Sequence, residues 1–363
     1  MFFTRSRALF AGLSLVAGSA IVTLAQQTPE FRVGVNIVNV LATVRDRDGR
    51  IVTNLSNEDF VLEEDGKPQQ ITNFFRQTDL PLTIGLLIDT SISQRRLIAR
   101  EQSAGRKFFD HVLRPQRDLA FLIQFDSDVL MLQDLTPSQA ELENALQRLE
   151  VPGRRRGGFA PRRLGRSDLA GSGVGPGDAQ FPGGQPWPGG GGQTPPIGGP
   201  PQGRPAGTLL YDAVFLAADE VLRNEAGRKT IIIISDGVDQ GSKVSEKEAI
   251  ETVQRADCLI YSIRYFDEEA YGGRWGGGFG AGSEGRSTLQ DLSSQTGGRM
   301  FEVSKKLSLE AIFDQIQEEL RSQYSLSYSP APGSPDRFRK IKLRTRDKSL
   351  KVVTRAGYYP KKS

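Results

Sequence analysis

The chain has 363 residues, of which 37% are hydrophobic and 25% charged, which is enough for one large domain and a smaller one. Basic residues number 47 against 43 acidic ones, so we expect no nucleic-acid ligand. The single cysteine, Cys258, and the single histidine, His111, exclude an internal disulfide, a Cys/His zinc site and most histidine-dependent catalytic arrangements. Any bound metal therefore needs oxygen ligands.

The first 25 residues have the pattern of an export signal. Arg5 and Arg7 precede an apolar run over residues 8–25, and small residues predict cleavage near Ala25-Gln26. We therefore expect a secreted or periplasmic protein. An uncleaved N-terminal helix that anchors the chain in a membrane is the alternative, because the run approaches spanning length.

Residues 31–78 and 323–360 follow the period of β-strands. Near Val38 the alternation of apolar residues slips by one position, which predicts a bulge or break. Asp48-Gly49 and Asp65-Gly66 are typical of hairpin turns. Neither segment alone can bury a large core. We therefore predict that the two segments pair into one small β-sandwich.

Residues 81–322 change to alternating strands and helices. The continuous apolar runs Thr83–Ile88 and Ile231–Ile234 are typical of buried parallel strands. This order predicts an α/β domain, with a doubly wound, mainly parallel, Rossmann-like sheet, inserted between the two β-segments.

Two glycine-rich segments, 152–207 and 267–286, fit no helix or strand, and we expect both to be mobile loops. Leu289 and Leu292 predict only a short helix after the second segment. The first segment carries a cluster of arginines that would contact a polyanion or an acidic partner, or else form a solvated loop. The cluster comprises Arg154, Arg155, Arg156, Arg162, Arg163 and Arg166.

Oxygen-bearing side chains follow two of the buried strands and open one helix. Asp89, Ser91 and Ser93 follow the first strand, Asp236 follows the second, and Thr208 begins a helix. Loops at the carboxyl ends of parallel strands meet in one crevice, so these five residues could share one ion. Carboxylates and hydroxyls suit Mg²⁺, with Mn²⁺ or Ca²⁺ as alternatives. Because only two ligands are carboxylates, the ion should seek an anionic ligand from outside.

The segments Leu82–Ser93, Gly207–Ala213 and Ile231–Gly237 resemble the three loops of the metal-ion-dependent adhesion site of von Willebrand factor type A domains. The resemblance implies that the two serines and the threonine contact the metal, and that the two aspartates act directly or through water. The wider layout, which includes a Tyr-x-Leu-x-Tyr strand at 324–328, resembles bacterial VWFA-related secreted proteins. The insertion before Thr208 departs from the family pattern.

The resemblance implies an adhesion or scaffold module of the bacterial envelope or exterior, which binds an Asp or Glu carboxylate of a protein partner through Mg²⁺. A membrane is expected as a partner only if the N-terminal segment stays uncleaved. One alternative is a hydrolase or phosphoryl-transfer enzyme with Asp89 as nucleophile. Such enzymes place a second acid two residues later, where this chain has Ser91, and no positioned His or Lys base is visible. A scaffold with a vestigial metal site is the third interpretation.

Overall fold

A computed structural model describes residues 37–76, 80–114, 116–150, 162–163, 207–265, 278–332 and 336–360. These residues all belong to one compact unit, Asn36–Ser363. The expected export signal lies outside the described residues, as do most of the 152–207 segment and Arg154, Arg155, Arg156 and Arg166. Within the described ranges, no helix has both the length and the apolar character needed to cross a bilayer.

The strands and helices alternate along the middle of the chain and give way to strands at both ends. The strands are β1 (Val38–Arg45), β2 (Phe60–Glu64), β3 (Lys67–Gln69), β4 (Asn73–Arg76), β5 (Leu82–Asp89), β6 (Leu119–Phe125), β7 (Val129–Thr136), β8 (Arg162–Arg163), β9 (Arg228–Ser235), β10 (Cys258–Arg264), β11 (Met300–Glu302), β12 (Tyr324–Tyr328), β13 (Arg339–Thr345), β14 (Lys351–Thr354) and β15 (Gly357–Tyr358). The helices are α1 (Ile98–Val112), α2 (Gln139–Gln147), α3 (Leu210–Leu216, continued by a π-helical turn over Ala217–Leu222), α4 (Glu246–Arg255), α5 (Gly278–Thr296) and α6 (Leu309–Arg321).

The two terminal β-segments pair with each other, which confirms the predicted β-sandwich. One sheet has the order β14-β1-β12-β4 and the other β15-β13-β2-β3, so each mixes strands from both segments. In the first sheet Val40 lies opposite Leu326, and both side chains are fully buried in the core that the two sheets share. Asp65 and Gly66, at φ 48° and 78°, form the turn between β2 and β3 that the sequence predicted.

The α/β part contains a sheet of order β11-β10-β9-β5-β6-β7-β8. Strands β11, β10, β9, β5 and β6 run parallel, whereas β7 lies antiparallel to β6, and the two-residue strand β8 pairs with β7 at the edge. Helices α1, α2 and α6 contribute to the core on one face of this sheet, and α3, α4 and α5 contribute to the core on the other face. Because every residue of β5 and β9 is buried, these strands read as continuous apolar runs. The predicted doubly wound fold is confirmed.

The expectation that both glycine-rich segments lack regular structure was wrong in two places. Residues 278–286 belong to α5, which has 19 residues and is much longer than the short helix predicted around Leu289. Arg162 and Arg163 form β8 and pair with Met131 and Leu130. A short edge strand pairs through backbone hydrogen bonds alone, so the pattern of side chains in the sequence does not predict β8. Residues 266–277 lie outside the described residues.

Candidate metal site

The first loop of the candidate site begins where β5 ends at Asp89, whose side chain is fully buried. One carboxylate oxygen, Oδ1, accepts the backbone N–H of Ser91 at 2.9 Å, and Oδ2 accepts the Ser235 hydroxyl at 2.6 Å. The next residue ties the loop to β6, because the Thr90 N–H donates to the carbonyl of Phe125 at 2.9 Å. The carboxylate of Asp89 is therefore bonded to β9, and the backbone of the following residue is bonded to β6.

The second aspartate, Asp236, directly follows β9 and is joined to the serines of the first loop. The Ser93 hydroxyl donates to Asp236 Oδ2 at 2.7 Å, and the Ser91 and Ser93 hydroxyls are 3.0 Å apart. The parallel register of β5 and β9 pairs Ile88 with Ile234, so the two strands end level with each other. The side-chain oxygens of Ser91, Ser93 and Asp236 are thus hydrogen-bonded to one another, and Asp89 is bonded to the same loop through the Ser91 backbone N–H.

The fifth residue, Thr208, lies on a third loop that is held by its backbone. Its carbonyl accepts the Gln240 N–H at 3.0 Å, and the following residue, Leu209, donates its N–H to the Asp126 carbonyl at 2.8 Å. Its side chain is almost fully buried. Thr208 is therefore fixed between the β6–β7 hairpin and the loop after Asp236, although the 152–207 insertion immediately precedes it.

Asp212, on the helix after Thr208, has a structural role. Its Oδ1 accepts the backbone N–H groups of Lys243 at 2.9 Å and Val244 at 3.0 Å. These bonds join α3 to the segment that leads into α4.

Glycines allow helix α5 to lie directly on the Asp236 loop. Gly237 has φ +86°, and a Cβ added there would lie 2.1 Å from the carbonyl oxygen of Gly285. A Cβ added at Gly285 would lie 2.4 Å from the carbonyl oxygen of Asp236. Backbone therefore meets backbone at this point, and no side chain fits between them. This contact with α5 holds the Asp236 loop in position.

Buried carboxylates dominate the electrostatics of the site. Burial, together with the charge of Asp236, raises the pKa of Asp89 to about 7, although hydrogen bonds from Ser235 and Ser91 oppose the shift. Burial also raises the pKa of Glu101 well above its ordinary value, and the charge of Asp89 adds to this effect. An added cation would relieve this repulsion.

The donor set fits a small hard cation. Adjacent oxygens around an octahedral ion with bonds of about 2.1 Å are separated by about 3.0 Å. The observed oxygen separations of 3.0 Å between Ser91 and Ser93, and 2.7 Å between Ser93 and Asp236, are close to that value. No cluster of three or more His, Cys, Asp and Glu side chains suited to metal binding occurs among the described residues. Hydroxyl oxygens would therefore have to supply part of the ligand set.

Sequence analysis missed a group of buried polar residues beside this loop. The Thr90 hydroxyl, both polar atoms of the Gln94 side chain and both carboxylate oxygens of Glu101 are buried without a hydrogen-bond partner in the described part of the chain. The available clue was Glu101 itself, which falls four residues after Leu97 and three before Ala104 on the apolar stripe of α1. An acid on an apolar helix face is buried with it.

The α/β part has a mainly parallel sheet with an antiparallel strand β7, helices on both faces and three oxygen-bearing loops at one edge, the features expected from the sequence resemblance to von Willebrand factor A domains. No protein-family profile and no curated protein sequence matches the chain.

Several solved structures are similar to the chain at low identity. A von Willebrand factor type A protein from Catenulispora acidiphila is 10% identical over 90% of this chain and 75% of that one, with a TM-score of 0.43. Proximal thread matrix protein 1 from the mussel byssus is 13% identical over 71% and 51%, with a TM-score of 0.41, and another structure of that protein has a zinc-occupied MIDAS motif. An aerotolerance-related membrane protein from Bacteroides fragilis is 13% identical over 67% and 98%, with a TM-score of 0.39. Likeness at this level carries no argument about function.

Proposed function

We propose that this chain is a binding module of the bacterial envelope or exterior that recognises a protein partner through a divalent cation. Mg²⁺ is the proposed ion, held by Asp89, Ser91, Ser93, Thr208 and Asp236. The observation that carries the proposal is the set of hydrogen-bonded oxygens from Ser91, Ser93 and Asp236 beside the buried Asp89 carboxylate. Hard oxygen donors without a thiolate or imidazole favour Mg²⁺ over softer metals.

The proposed partner presents an exposed Asp or Glu carboxylate. Five protein oxygens leave one position of a six-coordinate ion for an outside ligand. Two of the five are carboxylates and the other three are neutral hydroxyls, so the proposed sixth ligand is an anionic oxygen, which a hard divalent cation binds well. The arginine cluster at 154–166 is proposed to attract the acidic surface around that carboxylate.

A catalytic role for Asp89 is not proposed. Its side chain is fully buried, and both of its oxygens already accept hydrogen bonds, from Ser91 and Ser235. A nucleophile must reach its substrate, and a raised pKa makes a carboxylate a weaker nucleophile at neutral pH because more of it is protonated.

Calorimetric titration of the purified chain with Mg²⁺ and Mn²⁺ tests the metal site. We expect saturable binding in the wild type and none in Asp89→Ala. Asp110→Ala is the matched control, because Asp110 is exposed on α1. Equal Mn²⁺ affinity in Asp89→Ala and in the control would reject the assignment, and absence of binding in the wild type would favour a vestigial site.

Capture of partners from an envelope extract tests the binding role. Proteins retained on the immobilised wild-type chain in Mg²⁺ should be released by EDTA and should not be retained by Asp89→Ala. Blocking their carboxylates chemically should abolish retention. Retention that is insensitive to EDTA would reject metal-dependent recognition.

Export is part of the proposal and rests on the arginine-flanked apolar run before Gln26. N-terminal sequencing of the protein from its native host should begin near Gln26. Recovery in the cytoplasm with an intact Met1 would reject export, whereas an intact Met1 in the membrane fraction would indicate the uncleaved anchor.

A further inference from the structure

Residues 336–363 are far more basic than the rest of the chain. They contain 11 lysines and arginines against 2 acidic residues, whereas the whole chain contains 47 and 43. The remainder of the chain is therefore slightly acidic. An asymmetry of this kind is typical of a region that contacts an anionic partner.

Strand β13 places part of this charge on the outer face of the sandwich. Its buried residues Ile341 and Leu343 alternate with Lys340, Lys342 and Arg344, which are all exposed. Successive side chains of a strand point to opposite faces, so the three basic side chains share the outer face at intervals of about 7 Å. We call these three residues the β13 stripe.

The nearest acid neutralises only one member of the β13 stripe. Glu63 lies opposite Lys342 in the register, but it forms its ion pair with Arg344. On the other side of β13, the residue opposite Lys340 is Gly357, which has no side chain. Among the described residues, no ion pair involves Lys340 or Lys342. The stripe therefore keeps an excess of positive charge.

We propose that the β13 stripe docks the protein on a bilayer surface that carries anionic phospholipid headgroups. Arg346 and Lys348, both exposed, extend the basic region beyond the end of β13. A group of four to eight lysines and arginines is the size that binds anionic lipids, and such binding needs no matching shape. The inference goes beyond the proposed metal site and rests only on the proposed export, which brings the chain to a membrane.

Other anionic partners fit this face less well. Surfaces that bind single-stranded nucleic acid carry aromatic side chains on which the bases stack, and the outward positions of β13 carry none. The centre of a protein–protein interface is apolar and depleted of charge, whereas these outward positions are all charged.

The sandwich joins the α/β part at the edge of the sheet where the parallel strands begin. One connection enters β5 at Leu82, and the other leaves α6 after Arg321. Both residues are bonded to one carboxylate, because Asp118 accepts the Leu82 N–H at 3.0 Å and the Arg321 guanidinium at 3.3 Å. The candidate cation site lies at the opposite, carboxyl edge of this sheet. A protein partner could therefore bind there while the sandwich contacts the bilayer.

Sedimentation with lipid vesicles tests the inference on the mature chain that begins at Gln26. Vesicles of equal parts phosphatidylglycerol and phosphatidylcholine should bind the wild type, and added salt should weaken this binding by screening the charges. Vesicles of phosphatidylcholine alone should not bind it. Lys340→Gln/Lys342→Gln should weaken binding to the anionic vesicles about 25-fold, because each basic residue near an anionic surface raises the affinity about fivefold.

Two further variants separate the stripe from net charge and from shape. Lys305→Gln/Lys306→Gln removes the same charge from two exposed lysines of the α/β part, and it should bind the anionic vesicles as the wild type does. Lys340→Arg/Lys342→Arg keeps the charge of the stripe and should also bind with wild-type affinity.

Several results would overturn the inference. They are equal binding to the two kinds of vesicle, wild-type affinity in Lys340→Gln/Lys342→Gln, and an equal loss in either of the other two variants. Tighter binding of a single-stranded oligonucleotide through the same two lysines would also overturn it, because the face would then be a nucleic-acid surface. All measurements are made in EDTA, so a failure of the proposed metal site leaves this test unaffected.

Discussion

Buried acids in the β-sandwich and at the carboxyl edge of the α/β sheet differ in their hydrogen-bond and ion-pair partners. In the sandwich, Glu64 accepts hydrogen bonds from the hydroxyls of Tyr328 and Tyr358 and pairs with Arg339 at 2.8 Å. At the carboxyl edge, Asp89 is bound by one hydroxyl and one backbone N–H, and Glu101 lacks any hydrogen-bond partner in the described residues.

A second satisfied acid, Glu319, joins the two parts of the molecule. It lies fully buried on α6 and pairs with Arg45 of β1 at 2.6 Å and with Arg299 before β11, while the Tyr261 hydroxyl of β10 donates to it at 3.2 Å. Acids that hold the fold together therefore have cations and hydroxyls beside them. At the carboxyl edge, Asp89 and Asp236 have serine hydroxyls and backbone N–H groups beside them, and the charge of Asp236 raises the pKa of Asp89.

The largest expected loss of stability follows from removing Glu64, a buried acid with an ion-pair partner. Glu64→Ala removes one member of a buried ion pair and leaves Arg339 buried without its partner, so we expect the free energy of unfolding to fall by about 3–5 kcal/mol. Urea denaturation followed by circular dichroism measures the change.

The neighbouring residue provides the control for that prediction. Glu63 pairs with Arg344, whose side chain is 55% exposed, so Glu63→Ala should cost at most about 1 kcal/mol. Similar losses in the two variants would contradict the distinction between buried and exposed ion pairs.

The second prediction concerns pH in the metal-free protein. Because burial and the charge of Asp236 raise the pKa of Asp89 to about 7, the folded state holds a proton that the unfolded state releases near pH 4. Its contribution to stability is fully present below about pH 4 and is lost as the pH rises through about 7. In EDTA, the melting temperature of the wild type should therefore fall more steeply between pH 4 and pH 7 than that of Asp89→Asn.

Adding Mg²⁺ at pH 8 should reverse this loss in the wild type, because an ion that binds only the folded state stabilises it. Asp89→Asn should not respond. Parallel pH profiles for the two proteins would contradict the raised pKa of Asp89.

Much of the fold could be predicted because its determinants are local in sequence. The continuous apolar runs of β5 and β9 announce buried parallel strands, and the alternation at Val38, Val40, Ala42 and Val44 identifies the face of β1 that packs in the sandwich. The two aspartates follow those runs directly, so their juxtaposition follows from the parallel register.

Features that depend on contacts distant in sequence could not be predicted in this way. Glycines 278, 280, 282 and 285 weaken the intrinsic helix propensity at the start of α5, yet the close approach of Gly285 to the Asp236 loop leaves no room for a Cβ. Glu101 is acidic and would ordinarily face solvent. Its lack of a partner is visible only once α1 is packed on the sheet.

The smallest expected loss of stability comes from the contact between α5 and the Asp236 loop. This prediction tests whether close packing at the carboxyl edge matters for stability, as the buried ion pair does in the sandwich. In Gly285→Ala the added methyl group would meet the Asp236 carbonyl oxygen at 2.4 Å, so the helix or the loop must move. Overpacking of this kind costs about 1–3 kcal/mol. Replacing a helical glycine by alanine returns about 1 kcal/mol. The net loss of stability in EDTA should therefore be about 1 kcal/mol, while Mn²⁺ affinity falls because the Asp236 loop is displaced.

Gly105→Ala is the control: its nearest contacts are Leu146 methyl groups at 3.2 and 3.4 Å, which can shift, so stability should stay unchanged or rise slightly. Thermal melting and Mn²⁺ titration of both variants measure these effects. Unchanged Mn²⁺ affinity in Gly285→Ala would mean that the Asp236 loop keeps its position without help from α5, and that the edge tolerates changes in shape.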